Sequence, residues 1–136
     1  SERKPPEKKE ELKPTQETEE KPKPKPPAHA KCVLLGEIEE EKERVEGATV
    51  YLGKVKNVGG RRADFVRITF TVKDIFGRVI RSDAAFVSGS HHTFKSGITS
   101  DASLEPQQVG SFQCLVPIPA RFIASYSYTI LWEEYD

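Results

Sequence analysis

The sequence predicts an all-β protein in which two antiparallel sheets pack as a sandwich. Apolar and polar residues alternate over residues 66–73, a period of two that is typical of a strand with one buried and one solvated face and that predicts a strand over 64–74. Turn-forming residues follow at 74–77, and apolar residues resume at Val79, so the chain folds back as a hairpin. About seven such segments recur at intervals of 8–15 residues, and this spacing favours a sandwich.

The other strands follow from the same alternation. They are predicted over residues 32–38, 49–57, 78–87, 112–116 and 124–133, with a further short strand near 92–95 in an otherwise looped segment 88–103. Leu52 and Val55 fall on opposite faces of an ideal strand, which predicts a bulge near Gly53. Residues 57–60 form a turn because of their Asn and paired glycines.

The sequence allows three secondary structures for the acidic segment 37–46. Its alternating charges are typical of a polar edge strand, of a loop, or of one to two helical turns in which Glu40 pairs with Arg44. Calcium binding at this segment needs converging oxygens at a spacing that the residues do not show.

Two regions of different composition divide the chain. Residues 1–31 hold seven of the ten prolines and almost no apolar residue other than Leu12, so they cannot offset their ordering entropy and are predicted to be a disordered Pro/Lys/Glu-rich linker. Residues 32–136 form one domain. The formal net charge is zero, which excludes a general affinity for nucleic acid.

The segments from residue 47 to residue 133 resemble the FxLYD domain family. Residues 70–74 (FTVKD) stand where that family has Phe-x-Leu-Tyr-Asp, with Val72 and Lys73 in place of Leu and Tyr. The resemblance also rests on residues 53–57 with Gly60, on 77–80, on 104–106 and on 110–112. It implies an immunoglobulin-like β-sandwich, an extracytoplasmic location in the periplasm, at the cell envelope or outside the cell, and no catalytic residues or cofactors.

The two cysteines allow two interpretations. Cys32 and Cys114 lie on two predicted strands and form a disulfide in an oxidising compartment, or they are buried free thiols. The stripe of Tyr126, Tyr128 and Trp132 likewise fills the core or forms an exposed aromatic platform.

No motif in the sequence predicts catalysis or metal binding. His91 and His92 are adjacent and lack the spaced ligand pairs of a zinc site, and the nearby serines lack a nucleophile elbow. We therefore expect a protein that is not an enzyme and has no cofactor.

The sequence predicts a non-catalytic accessory module that binds a protein partner through a sheet face or edge, tethered by its linker to an upstream membrane or lipid anchor. The alternative is a ligand- or glycan-binding sandwich that uses its end loops 57–63 and 88–103. The residues expected at such a loop site are Asn57, Arg61, Arg62, His91, His92 and Phe94.

Overall fold

The computed structural model describes residues 29–135 as eight strands and one short 3-10 helix. Most of the predicted linker therefore lies outside the described residues. The elements are β1 Cys32–Lys42, β2 Thr49–Asn57, β3 Asp64–Lys73, β4 Val79–Phe86, β5 Ser90–Thr93, β6 Thr99–Ser103, β7 Val109–Val116, the 3-10 helix Ala120–Phe122 and β8 Ser125–Glu133.

These strands form two three-stranded sheets and a hairpin. The first sheet has the order β1-β2-β7, the second has the order β4-β3-β8, and β5 pairs with β6; every pair is antiparallel. The predicted all-β antiparallel class is confirmed, with eight strands where the sequence indicated about seven. The additional strand is β6, which pairs with β5, so the segment 88–103 contains a hairpin where the sequence indicated a loop with one short strand.

The core lies between the two sheets, and β3 shows why. Its residues alternate between buried and half-buried along the whole strand, as the sequence pattern requires. Phe70 of β3 stacks on Tyr51 of β2 with ring centroids 4.7 Å apart, and it meets Phe112 of β7 at 5.8 Å. These contacts join the facing sheets, so the arrangement is compatible with a β-sandwich.

The bulge predicted near Gly53 is wrong, because the irregularity lies in the partner strand. β2 pairs with β7 without a break, whereas the β1 register shifts between Leu35 and Glu39, opposite Gly53. Gly36, with a φ of 81°, lies within that shift. Gly53 is glycine for a packing reason, since a Cβ there would lie 2.7 Å from the Phe112 ring.

The acidic segment 37–46 continues β1 as an edge strand up to Lys42 and then becomes a loop. The helical alternative is wrong. Arg44 pairs with Glu41 at 2.9 Å and not with Glu40.

Three residues that the sequence assigned to the linker pack against the domain. Ala30 is 6% exposed, and its amide donates to Glu134 Oε2 at 2.8 Å. The chain crosses so close to Gly59 that a Cβ there would lie 2.3 Å from the His29 carbonyl oxygen. The folded domain therefore includes residues 29–31.

Candidate functional site

Strand β8 is an edge strand whose inward side chains are only half covered. Its pairing partners on β3 (Ile68, Phe70 and Val72) are 0% exposed. On β8, by contrast, Tyr126 is 37% exposed and Tyr128 is 42% exposed. Side chains alternate between the two faces of a strand, so both tyrosines lie on the core-facing side of the sheet. They are partly exposed because no further strand of residues 29–135 lies beside β8.

The unpaired backbone groups of β8 can be assigned from one hydrogen bond. The Val87 amide donates to the Val66 carbonyl at 3.0 Å, so backbone groups of even-numbered β3 residues point toward β4. Neighbouring residues alternate, and the odd-numbered ones therefore bond to β8, where Arg67 lies opposite Leu131. It follows that four β8 residues direct their N–H and C=O groups away from the sheet: Tyr126, Tyr128, Ile130 and Trp132.

The other three edges of the two three-stranded sheets are protected. β1 carries four glutamates and a register shift. On β4, the Arg81 and Asp83 side chains lie on the core-facing side and form an ion pair at 2.7 Å. On β7, the backbone at Ser111 forms a β-bridge with Ser88, so part of this edge is already paired. Bulges, inward charges and covering segments are the usual protections against strand addition.

Between Ser125 and Leu131, β8 has no bulge, no inward charge and no covering strand among the described residues, although Glu40 and Lys42 of β1 lie close to Tyr126. Its sequence, SYSYTILWE, has no proline, no glycine and a single charge at its end, Glu133. It pairs with β3 in continuous register from Ser125 to Leu131. β8 therefore offers an additional strand a straight edge and a half-exposed aromatic surface.

A cleft of about 450 Å³ adjoins the beginning of this edge. Glu40 and Lys42 of β1 form one side, and Ile123 and Tyr126 form the other. The pKa of the Tyr126 hydroxyl is raised by burial and by the nearby Glu40 and Tyr128 side chains. Glu40 also accepts a hydrogen bond from Tyr51 at 3.3 Å, so this carboxylate lies at the junction of the cleft and the core.

Neither interpretation of the aromatic stripe describes all of it. Tyr126 contacts Tyr51 and Phe70 at centroid distances of 4.7 and 5.8 Å, and Trp132 packs partly buried against the core. The exposed parts of Tyr126 and Tyr128 form a rim along the edge and not a flat platform.

The end loops do meet at one pole of the sandwich, as the sequence analysis expected. Ala63 bridges to Leu104, and the Phe65 amide donates to Ser100 Oγ at 3.2 Å. Arg62 lies 5.6 Å from the centroid of the Phe94 ring. The segments 57–63 and 88–103 are therefore neighbours.

Asn57 belongs to the framework of this pole. Its side chain is 0% exposed. Its Oδ1 accepts from the Lys31 and Gly59 amides at 3.2 and 2.9 Å, and its Nδ2 donates to the Arg61 and Leu104 carbonyls, each at 2.8 Å. All the hydrogen-bonding capacity of the amide is used within the chain, and none of its surface can contact a ligand.

The remaining predicted residues divide into an aromatic cluster and a polar surface. Phe94 is 4% exposed and stacks on Tyr135 at 4.6 Å, with His92 at 5.1 Å. Arg61 lies at the surface, where it pairs with Glu134 at 3.1 Å. No sequence pattern indicates that Tyr135 and Phe65 belong to this cluster, because both join it through tertiary contacts.

Asp64 joins three segments at this pole through hydrogen bonds: the loop before β3, the end of β6 and the residues after β8. It is buried and accepts hydrogen bonds from Arg62 at 2.7 Å, from Ser103 Oγ at 2.8 Å and from the Tyr135 amide at 3.0 Å. Burial by itself would raise the pKa of Asp64, but these bonds and the Arg62 charge hold that pKa below its usual value.

A shallow groove lies beside the cluster. Phe65 and Phe86 line two adjoining cavities of about 360 and 260 Å³, and Phe86 is 60% exposed. Neither residue was among those predicted. Phe65 has a φ of 52°, which no sequence pattern indicates.

Three hydrogen-bonded side chains on the β5–β6 hairpin, Asp101, His91 and Thr93, follow the acid–histidine–hydroxyl sequence of a hydrolase triad. The likeness is limited to this sequence of groups. His91 Nδ1 lies 2.5 Å from Asp101 Oδ1, and His91 Nε2 lies 3.3 Å from Thr93 Oγ1. However, the His91 and Asp101 side chains are 62% and 83% exposed. A triad needs a substrate cleft and an oxyanion hole beside the nucleophile, and an open hairpin surface supplies neither.

The cysteines are both buried and both free. Cys32 lies opposite Asn57 of β2, and Cys114 lies opposite Tyr51 of β2. Because Asn57 and Tyr51 are six residues apart on β2, the two cysteines are separated by about 20 Å along the strand direction. A disulfide bridges Cα atoms about 6 Å apart, so the disulfide interpretation is wrong. Burial raises the pKa of Cys32 to about 12 and that of Cys114 to about 11.

Within residues 29–135, no three His, Cys, Asp or Glu side chains are placed to hold a metal ion. The same part of the chain contains no helix of the length and hydropathy that crossing a membrane requires.

Comparison with models of known families, with curated proteins and with solved structures gives no match to this chain.

Proposed function

We propose that this chain is a non-catalytic protein-binding module that accepts an extended strand of its partner at the β8 edge. The observation that carries the proposal is the contrast between Phe70 and Val72 of β3, which are 0% exposed, and the tyrosines that face them on β8, Tyr128 and Tyr126, which are 42% and 37% exposed. A strand added to β8 would cover Tyr126 and Tyr128 and would satisfy the outward backbone groups of this edge.

The chemistry of the edge defines the segment that it accepts. The main-chain bonds supply affinity without regard to sequence, and the half-exposed tyrosines select apolar side chains at alternate positions. Because β8 carries one charge, a matching segment is itself nearly uncharged. An accessory role at the cell envelope, with residues 1–28 as a tether, extends the proposal and rests on the FxLYD resemblance.

Amide hydrogen exchange tests the proposal. The probe is a peptide that alternates Thr and Val over the length of β8, with a lysine at each end. We expect it to slow exchange at Tyr126, Tyr128, Ile130 and Trp132, because their N–H groups point outward. The odd-numbered amides already bond to β3 and should change little.

Two variants at one position provide the control. Tyr128→Ala removes the ring but keeps the outward N–H, whereas Tyr128→Pro removes both and leaves the bonds to β3 intact. We expect the proline variant to bind the probe about tenfold more weakly than the alanine variant, because proline cannot donate to a ladder. Equal affinities of the two variants would contradict strand addition.

A second candidate function, binding of a small apolar ligand, is favoured by the groove between Phe65 and Phe86. Its signature in the same measurement would be altered exchange at Phe65 and at Thr99–Ser103, with β8 unchanged. That outcome, with a ligand in place of the peptide, would move the functional site from the edge to the pole.

A further inference from the structure

We propose that the strand received by β8 is the β8 strand of a second copy of this chain. The two strands would run antiparallel about a two-fold axis at Thr129 and would join the β4-β3-β8 sheets into one continuous sheet. The inference rests on the proposed function and names its partner.

The partner strand must meet the requirements of the edge, and β8 itself meets them. It presents Tyr126, Tyr128, Ile130 and Trp132 on one face and only Ser and Thr residues, Leu131 and Glu133 on the other. It is long, unbroken and nearly uncharged. No other edge strand among residues 29–135 combines these properties.

The N-terminal segment of the same chain is a poor alternative. Residues 1–28 contain seven prolines, many Lys and Glu residues, and Leu12 as their only large apolar side chain. Proline lacks the N–H that a ladder requires, and a charged segment cannot cover half-exposed tyrosines. The sequence of this segment is therefore unsuited to the edge.

Complete overlap of the two strands sets the register. β8 runs from Ser125 to Glu133, and its midpoint is Thr129, so full overlap places Thr129 opposite Thr129. Tyr128 then faces Ile130 of the second copy, and Tyr126 faces its Trp132. These are the residues with outward backbone groups, so each of these facing pairs can exchange two hydrogen bonds.

This register also suits the charges and the apolar surface. Glu133 of the second copy falls opposite Ser125, which is the cross-strand neighbour of Lys73. No like charges face each other across the junction. Ile130 and Trp132 of the second copy cover Tyr128 and Tyr126, whose exposed fractions of 42% and 37% would fall.

A charge exchange at the two-fold axis tests the inference by sedimentation equilibrium on the 136-residue chain. Thr129 is exposed on the outer face, so lysine or glutamate can replace it without entering the core. We expect the unmodified chain to dimerise, and Thr129→Lys and Thr129→Glu each to weaken the dimer about tenfold, because like charges then oppose each other. An equimolar mixture of the two variants should restore the dimer.

Ser82 supplies the matched control. It lies exposed on β4 on the same outer face, across β3 from the junction. Ser82→Lys and Ser82→Glu make the same charge changes away from the axis, and we expect both to dimerise like the unmodified chain.

Two results would overturn the inference. The chain could stay monomeric at about 1 mM, a concentration at which even a weak dimer is populated. Alternatively, both Thr129 variants could dimerise as tightly as the unmodified chain, which would place the contact on another surface. Binding of the Thr/Val probe peptide to a monomeric chain would still support the proposed function, so the two failures are distinguishable.

Discussion

Asn57 is the residue on which the end of the sandwich most depends. A single buried amide joins the N-terminal segment, the loop after β2 and the segment after β6 through four hydrogen bonds. The sequence predicts this asparagine to be part of a turn and of a ligand-binding loop. The turn identified its place in the chain, but the three segments that it joins are distant in sequence, and no local pattern identifies them.

Asn57→Ala should therefore destabilise the fold strongly. The change leaves the buried Gly59 amide without its acceptor and removes the bonds to the Lys31 amide and to the Arg61 and Leu104 carbonyls. A buried polar group that loses its partner costs about 1–3 kcal/mol. We expect the free energy of unfolding in urea to fall by about 3 kcal/mol or more. Gln113→Ala, at an exposed position of β7, is the control and should change it by less than about 0.5 kcal/mol. A small effect at Asn57 would mean that water replaces the lost bonds.

At the scale of elements, Asp64 connects β3 to β6 and to the segment after β8. Its pKa is held below its usual value in the folded chain. A carboxylate of lowered pKa stabilises the fold fully above the unfolded-state pKa of about 3.9, and it loses this contribution as pH falls toward the folded-state pKa.

Asp64→Asn should change the acid limb of the stability curve. At neutral pH we expect the variant to be less stable by on the order of 3 kcal/mol, because Arg62 loses a carboxylate partner that is itself buried. Below about pH 4 the two proteins should converge, since only the unmodified chain loses stability by protonation at this site. Asp101→Asn, at an 83% exposed side chain, should show neither effect. Parallel curves for Asp64→Asn would contradict the assignment.

Sequence predicted the strands well where burial alternates along a continuous run. β2 and β3 are recovered with correct bounds to within one residue, because each lies between two neighbours and buries one face completely. The short strand predicted near 92–95 overlaps β5 but is displaced by two residues, and β6 was missed, because both strands are short and rich in polar residues. The alternation of apolar residues also predicts a bulge near Gly53. It cannot show that the irregularity lies in β1, opposite Gly53, and not in β2 itself.

The candidate edge is a property of topology, which periodicity does not encode. The sequence showed that Tyr126, Tyr128 and Trp132 share a face. Whether that face is buried depends on whether β8 has a neighbour on each side, and β8 has only β3 in the described part of the chain. Only a comparison of the four edge strands of the two three-stranded sheets, β1, β7, β4 and β8, identifies the one that is least protected.

At the scale of the whole molecule, the boundary between linker and domain falls before residue 32. Ala30 is buried, and the Lys31 amide and carbonyl bond to Asn57 Oδ1 and to the Val58 amide at 3.2 and 2.7 Å. These contacts cover Gly59, whose lack of a side chain lets the backbone pass.

Two truncations separate the linker from the fold. A chain beginning at His29 should unfold at the same temperature as the full chain. A chain beginning at Cys32 should be less stable by about 1–2 kcal/mol, because it loses the buried Ala30 and leaves Asn57 Oδ1 with one donor fewer. Differential scanning calorimetry measures both. Equal melting temperatures for the two truncations would mean that residues 29–31 lie on the domain without stabilising it, and unchanged dimerisation in both would show that the β8 edge acts independently of the linker.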